Sequence, residues 1–398
     1  MVLKGLKVVS FCHFLQGPAA MQHLSDMGAE VIKIEPLTGA FERHWASAGG
    51  TRVGGVTPLY FSANRNVKSL AVDLKTAEGR DLVLDLIMKS HVVANNYRPG
   101  VMDRLGLGYE DIKAMKPEII YASASGFGSS GPYVDSPGQD LLIQAMSGLA
   151  YSTSLNGRRP TALGCAAADM HGAALFAMGI AGAYAKLLAT GQGTKVESSL
   201  LSAGIDLQNE SLVVYKASRR GKESFSHADG LVDFFHEAPY GIYAIRDGFV
   251  AISLNPLAKI ARALESDAFA DLVNADPYEH RSVIAERLAA ELSKWGYEML
   301  AKAFDSQGIW YCRVNDYDEV FDNPQLRHTE AFEHFDIGGD SVTLVRHPVR
   351  YDGQYRSAEK FALTQGADSR SILSDLGYSE EEIDALRERS IIFAPAET

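Results

Sequence analysis

The sequence predicts an α/β fold: a parallel sheet with helical crossovers, followed by a small α+β domain. Three observations lead there. Strand and helix patterns alternate through the first half, which is the signature of crossover connections. The character changes after Ser218, where Arg219-Arg220-Gly221-Lys222 reads as a polar linker. Two hairpin signals then appear, near Asp247-Gly248 and near Gly338.

The elements follow in order. Leu6–Phe11 reads as a strand, and 18–27 as a helix with Pro18 in its first turn and Gly28 as its stop. Glu30–Ile34 and Lys68–Leu74 are further strands. Thr76 caps a helix through Lys89, with Glu78 and Asp81 near its positive end. His91–Ala94 and Ile119–Ala122 are short buried strands, and 139–149 and 170–189 read as helices. Beyond the linker, a hairpin returns through Phe249–Ser253, and helical patterns cover 256–264, 267–273, 282–294 and 297–306. A hairpin from Gly338 and a helix over 379–389 close the chain. The expected domains are a discontinuous large one (1–218 and 330–398) and a small one with its linker (219–329).

Composition sets the class. A chain of 398 residues has two domains as its prior, and 46% hydrophobic residues supply ample core. The formal charge, 38 − 50 = −12, argues against nucleic acid or an anionic membrane as main partner. The three cysteines form no CxxC, which fits a reducing cytoplasm and implies neither disulfides nor zinc. Cys165 reads as a small buried hydrophobe. The N-terminus lacks the apolar stretch of a signal peptide, and the apolar run Gly172–Ala185 is too short to span a bilayer. The eleven histidines show no ligand spacing, so no metal is expected. The first turn, Cys12–Ala20, lacks G-x-G-x-x-G, and Pro18 removes an amide that a phosphate would use.

Asp169 is the acid that stands out. It lies alone between Asp140 and Glu197, among small residues at the start of a long apolar helix. A carboxylate there can be a nucleophile, an acid/base or a plain N-cap. His171, two residues on, reads more readily as a structural histidine than as a base. In Asn95–Gly100, followed by Arg104, Arg98 and Arg104 can hold phosphates, Tyr97 can stack an adenine and Asn96 can hydrogen-bond it; a solvated Pro-Gly turn is the bland alternative. The glycine-dense Ser125–Tyr133 lets a chain or a ligand pass close to the backbone.

The ordered set Gly28–Glu35, Asn64-Arg65-Asn66, Tyr97–Gly100, Gly126-Phe127-Gly128, Gly131-Pro132-Tyr133, the Asp169 segment, Pro239-Tyr240-Gly241 and Asp322–Gln325 closely resembles the class III coenzyme A transferase family. That family includes formyl-, carnitine- and succinyl-CoA transferases and the 2-methylacyl-CoA racemases, and the match runs through nearly the whole chain. The resemblance implies a Rossmann-like large domain, a small α+β domain and a homodimer of interlocked, ring-like chains. It implies that Asp169 is the catalytic residue, forming aspartyl anhydride and aspartyl-CoA intermediates. Acyl-CoA and a small carboxylic acid are then the substrates, with no tightly bound cofactor. Lys75, Asn96, Tyr97, Arg98, Arg104 and Gly126 fall in the family's CoA-binding motifs, with His13 and the Gln16 backbone beside them. There are departures. Leu15 stands where formyl-CoA transferases carry Gln, and Ser253–Leu257 lacks their glycine run, which counts against formyl or oxalate specificity. Family racemases place a His-Asp pair where this chain has Gln139-Asp140, and a carboxamide cannot exchange an α-proton. An acyl-CoA racemase and a non-catalytic acyl-CoA binder remain the alternatives. Arg43, His44 and Arg346 are candidates to meet a second carboxylate.

Overall fold

The computed structural model describes residues 1–45, 48–154, 159–221 and 229–395; Lys222 of the expected linker lies outside them. Six parallel strands form most of one sheet: β1 (Lys7–Phe11), β2 (Glu30–Glu35), β3 (Lys68–Val72), β4 (Val92–Asn95), β5 (Ile120–Ser125) and β6 (Thr194–Ser199). The spatial order is Ile392–Phe393, β3, β2, β1, β4, β5, β6, and the C-terminal strand runs antiparallel against β3. The order reverses between β1 and β4. In such sheets ligands bind beyond the carboxyl ends of the strands at that reversal.

Both faces of the sheet are covered, as a parallel sheet requires. Helices Gln16–Asp26 and Ala167–Thr190 cover one face; helices Ala77–Met88, Tyr109–Met115 and Ser369–Leu376 lie over the other. Thr76 caps its helix as expected, accepting from Gly79 N at 3.0 Å. Helix Ala167–Thr190 is longer than its apolar run suggests. At 24 residues it is long and apolar enough to cross a bilayer by length and composition, yet Phe176, Ala177 and Ile180 pack it into this core.

The chain divides into two compact units. One holds Met1–Ile143, Ala166–Leu207 and Gln325–Thr398; the other holds Gln144–Cys165 and Gln208–Pro324. The sequence places 144–165 and 208–218 with the large domain; the structure groups both with the smaller unit, where the Gln208 carboxamide donates to the carbonyl and hydroxyl of Ser147 at 3.2 and 3.3 Å. The smaller unit carries the hairpin Gly241–Ile245/Gly248–Ile252, to which Tyr311–Arg313 adds a third strand. The expected helix over 267–273 is only a short 3₁₀ turn, Asp267–Phe269. In the larger unit, Phe332–Ile337 and Asp340–Val345 form the second hairpin, with Gly338 and Gly339 both at positive φ.

Candidate active site

Asp169 is the third residue of its helix, and Ala166, which has no capping side chain, is the N-cap. The N-cap reading of Asp169 is therefore corrected. The capping carboxylate is Asp140, from a separate helix, Asp140–Met146, whose Ile143 packs on Ala168 and Leu200. Asp140 Oδ1 accepts from Ala168 N at 2.8 Å and from Asp169 N at 3.1 Å.

That arrangement explains Asp169's titration. First-turn amides normally favour a carboxylate, but Asp140 occupies two of them and adds its own charge. Burial first, and then Asp140's charge, push Asp169 up from 3.8 to about 7. The folded-state pKa is raised, so Asp169's contribution to stability is fully present below about pH 4 and is lost as the pH rises through about 7. Asp169→Asn is therefore expected to gain on the unaltered chain as pH climbs from 4 to 9, by on the order of 1 kcal/mol per unit of displaced pKa. Asp140→Asn, which keeps a capping oxygen, should shrink that gain. Denaturant titrations across this range check both, and parallel pH profiles of the three chains would refute the coupling.

Gln16 and Gly172 bring the first helix against this one. A Cβ on Gly172 would meet Gln16 Nε2 at 2.8 Å. Gln16 is buried, and its Nε2 has no hydrogen-bond partner among the described residues. His171 Nε2 lies 2.8 Å from Asp206 Oδ2, a structural pairing. Cys165 is exposed, which corrects its reading as a buried hydrophobe.

The other candidates gather along the carboxyl edge of the sheet. Beyond β4, β5 and β6 lies a cavity of about 210 Å³ whose lining includes Tyr97, Arg98, Tyr109, Ser129, Lys195 and Glu197. Lys195 pairs with Glu197 at 3.1 Å, and the Ser129 hydroxyl, together with Lys195, holds Glu197 below the usual carboxylate range. Sequence reasoning missed β6. The one signal was the Lys195/Glu197 spacing, which puts both side chains on one face of a strand.

Tyr97 packs on Phe11 and His13, with ring centroids 6.5 and 5.1 Å away, and burial pushes its hydroxyl up to about 12. Arg98 is exposed at the cavity wall. Arg104 is exposed outside the lining, its Nη1 3.2 Å from where a Cβ on Gly100 would sit. Lys75 is exposed just beyond β3. Two strands separate β3 from β4, so Lys75 stands roughly 14 Å across the sheet.

Asn96 bonds to the chain itself. Its Oδ1 accepts from His13 N at 2.9 Å and its Nδ2 donates to His13 O at 2.8 Å, so the carboxamide braces the β1 loop. Burial pushes the His13 imidazole down, leaving it neutral at pH 7, with Nδ1 unpartnered among the described residues. Gly126 is explained by packing: a Cβ there would lie 2.6 Å from Gly138 Cα, so what passes close is the chain itself.

All three second-carboxylate candidates are already engaged within the chain. Arg43 is buried and bound to Glu35, and Arg346 pairs with Glu330 and Glu333. His44 Nε2 sits 2.8 Å from Thr38 O. Among the described residues, no group of three or more His, Cys, Asp or Glu is placed to hold a metal ion.

A carboxyl pushed up to about 7 stands in the first turn of a long helix, and a cavity of about 210 Å³ lies among residues of and after β4, β5 and β6. The chain belongs to CoA-transferase family III, whose sequence pattern matches residues 3–368. It is 29% identical to the succinyl-CoA:glutarate CoA-transferase of Homo sapiens over 98% of this chain and 90% of that protein. It is also 29% identical to the succinate--glutarate CoA-transferase of Agrobacterium fabrum, over 88% of this chain and 91% of that protein. A crystal structure of a CAIB/BAIF family protein from Brucella suis superposes with a TM-score of 0.81 at 27% identity, covering 94% of this chain and 99% of that one. The chain is a class III CoA-transferase acting between acyl-CoA thioesters and carboxylic acids.

Proposed function

We propose that CoA transfer runs through covalent intermediates on Asp169. The observation that carries this reading is a carboxyl held near pH 7 at the start of a helix lined by small residues. The carboxylate attacks the thioester carbonyl, the C–S bond breaks, and CoA leaves as thiolate, giving a mixed anhydride of the acyl group and Asp169. The thiolate then attacks the aspartyl carbonyl, releasing the donor acid and leaving an aspartyl-CoA thioester. The acceptor carboxylate attacks that thioester, forming a second anhydride and expelling thiolate. Thiolate attack on the acceptor's acyl carbon regenerates Asp169 and forms the new acyl-CoA. One thioester is consumed and one is formed, so the net exchange needs no other energy source.

The nucleotide end of CoA is assigned to Arg98 and Arg104, with Tyr97 as a stacking face and Lys75 as an outlying cation. His13, Gln16, Asn96 and Gly126 shape the groove rather than contact it through free side-chain polar atoms, Gln16 Nε2 and His13 Nδ1 excepted. Each of Arg98→Ala and Arg104→Ala is expected to cost about 1.5–3 kcal/mol of CoA binding, ten- to a hundredfold, with the acid's KM unchanged. Titration calorimetry with CoA checks this, and wild-type affinity in both variants would refute the assignment.

Succinate and glutarate head the acceptor panel, because the relatives above are named for them. Single-turnover reaction with acyl-CoA and hydroxylamine should displace CoA from the aspartyl-CoA thioester and leave a hydroxamate on Asp169, and labelled CoA should exchange between two acids. Inversion of a 2-methylacyl-CoA with α-deuterium incorporation and no CoA transfer would favour the racemase. Binding without any adduct would favour the passive acyl-CoA binder.

A homodimer completes the proposal. Leu141, Leu142, Met170, Met178, Leu188 and Ile205 are large apolar side chains left exposed around the Asp169 helix and its neighbours. Sedimentation should show a dimer at nanomolar concentration; an active, compact monomer would rule it out.

A further inference from the structure

The segment joining β1 to helix Gln16–Asp26 is held more firmly than a four-residue connection needs. Asn96 grips both backbone groups of His13, and Glu42 takes the next amide, with Phe14 N donating to Glu42 Oε2 at 3.1 Å. Phe14 has φ +64°, a left-handed conformation that is costly for a bulky residue and persists only where the surroundings enforce it. Glu42 is fully buried. Its other oxygen pairs with Lys33, which also donates to Asn64 Oδ1 at 2.7 Å, and Thr57 Oγ1 donates to the Glu42 carbonyl at 2.7 Å.

A buried ion pair contributes little stability beyond what apolar residues of equal volume would give. Apolar residues cannot accept the Phe14 amide. Lys33 neutralises a carboxylate whose distinctive contact is that amide. The segment it holds runs from His13, whose ring packs at a tilt against Tyr97, to Gln16, packed against Gly172 one turn from Asp169. We propose that Glu42 is a positioning residue for the acyl-CoA side of the reaction: it locks Phe14 left-handed and so sets the His13–Gln16 loop between the CoA groove and the Asp169 helix. The role rests on the transfer reading above, since it concerns where CoA binds.

The test separates the amide contact from the ion pair. K33M/E42L removes the pair without stranding a charge; K33M/E42Q restores an acceptor for Phe14. CoA affinity by calorimetry should fall about tenfold or more in K33M/E42L, the value of one hydrogen bond to a charged group, with the acid's KM unmoved. K33M/E42Q should bind within roughly threefold of the unaltered chain, since a neutral acceptor keeps most of the contact. Adding F14G to K33M/E42L should recover much of the loss, because glycine adopts positive φ without enforcement. Indifference of CoA affinity to K33M/E42L, or no recovery with F14G, would overturn the role. If K33M/E42L fails to fold, F14G and F14A in the otherwise unaltered chain still decide. F14G should melt higher than F14A if the position is locked left-handed, and equal melting would overturn the lock. An unaltered chain that binds CoA beside an indifferent K33M/E42L defeats the Glu42 role alone; one that binds no CoA defeats both proposals.

Discussion

Asp169→Ala is expected to lower CoA transfer by about 10³-fold or more, since removing a covalent nucleophile removes the whole route and not one contact along it. CoA binding should be nearly unchanged, because the cavity wall and the exposed arginines do not include Asp169. Removing a carboxyl lifted to about 7 also relieves a destabilised group at neutral pH, so the variant should unfold no more easily than the parent. Loss of activity with gain of stability is the combination a structural role cannot produce. In the parent, kcat/KM for acyl-CoA should climb with pH through about 7, as the nucleophilic form appears. Asp140→Asn should move that limb to lower pH. Stopped assays of both partial reactions, with calorimetry on the same preparations, check this. More than a few per cent residual transfer in Asp169→Ala would remove the covalent role. Asp169→Asn is the less clean variant, because an amide in an activating site can hydrolyse slowly.

What could be read in the sequence was local. β1 to β5 announce themselves as short apolar runs because both faces of the sheet are covered. β6 stayed hidden because it is an edge strand, and Thr194–Ser199 alternates polar with half-buried residues. Helices Pro58–Ala63, Leu200–Asp206 and Asn209–Ser218 were missed for a related reason: they are short, or carry exposed residues such as Ile205 and Val213 that blur the apolar face. Asp169 itself was legible by isolation and motif. Its environment was not, because the carboxylate that caps its helix comes from Asp140, 29 residues earlier. Asn96 and Gly126 are singled out by motif, while their contacts, with His13 and Gly138, are set by tertiary packing. Arg43 is the clearest case. A sequence shows a cation near a site; only the fold shows that its donors are taken.

Arg43→Met is expected to be the most destabilising single change outside the chemistry. The guanidinium is 1% exposed and lies 4.2 Å from the Tyr60 ring centroid. Nε and Nη2 donate to the two oxygens of Glu35 at 2.7 and 2.6 Å, Nη2 also to Tyr60 Oη at 2.8 Å. Nη1 donates to the carbonyls of Ala362 and Leu363 at 2.6 and 3.0 Å, tying the C-terminal segment to the first half of the larger unit. Burial alone would raise the Glu35 carboxyl, but the Arg43 bonds outweigh it and hold Glu35 below the usual carboxylate range. The folded pKa is depressed, so this contribution is present above the unfolded value of about 4.3 and is lost as pH falls through the folded one. Methionine would fill the space and leave Glu35 buried without its cation, a loss of about 3–5 kcal/mol at neutral pH. The deficit should shrink toward pH 4, where an unpaired Glu35 can take up a proton. Glu35→Gln added to Arg43→Met should recover part of it at pH 7 by removing the stranded charge. Denaturant midpoints at pH 4.5 and 7.5 decide the matter: a deficit that is small at both, or equal at both, would mean that Arg43 holds the two halves of this unit by packing and not by its charge.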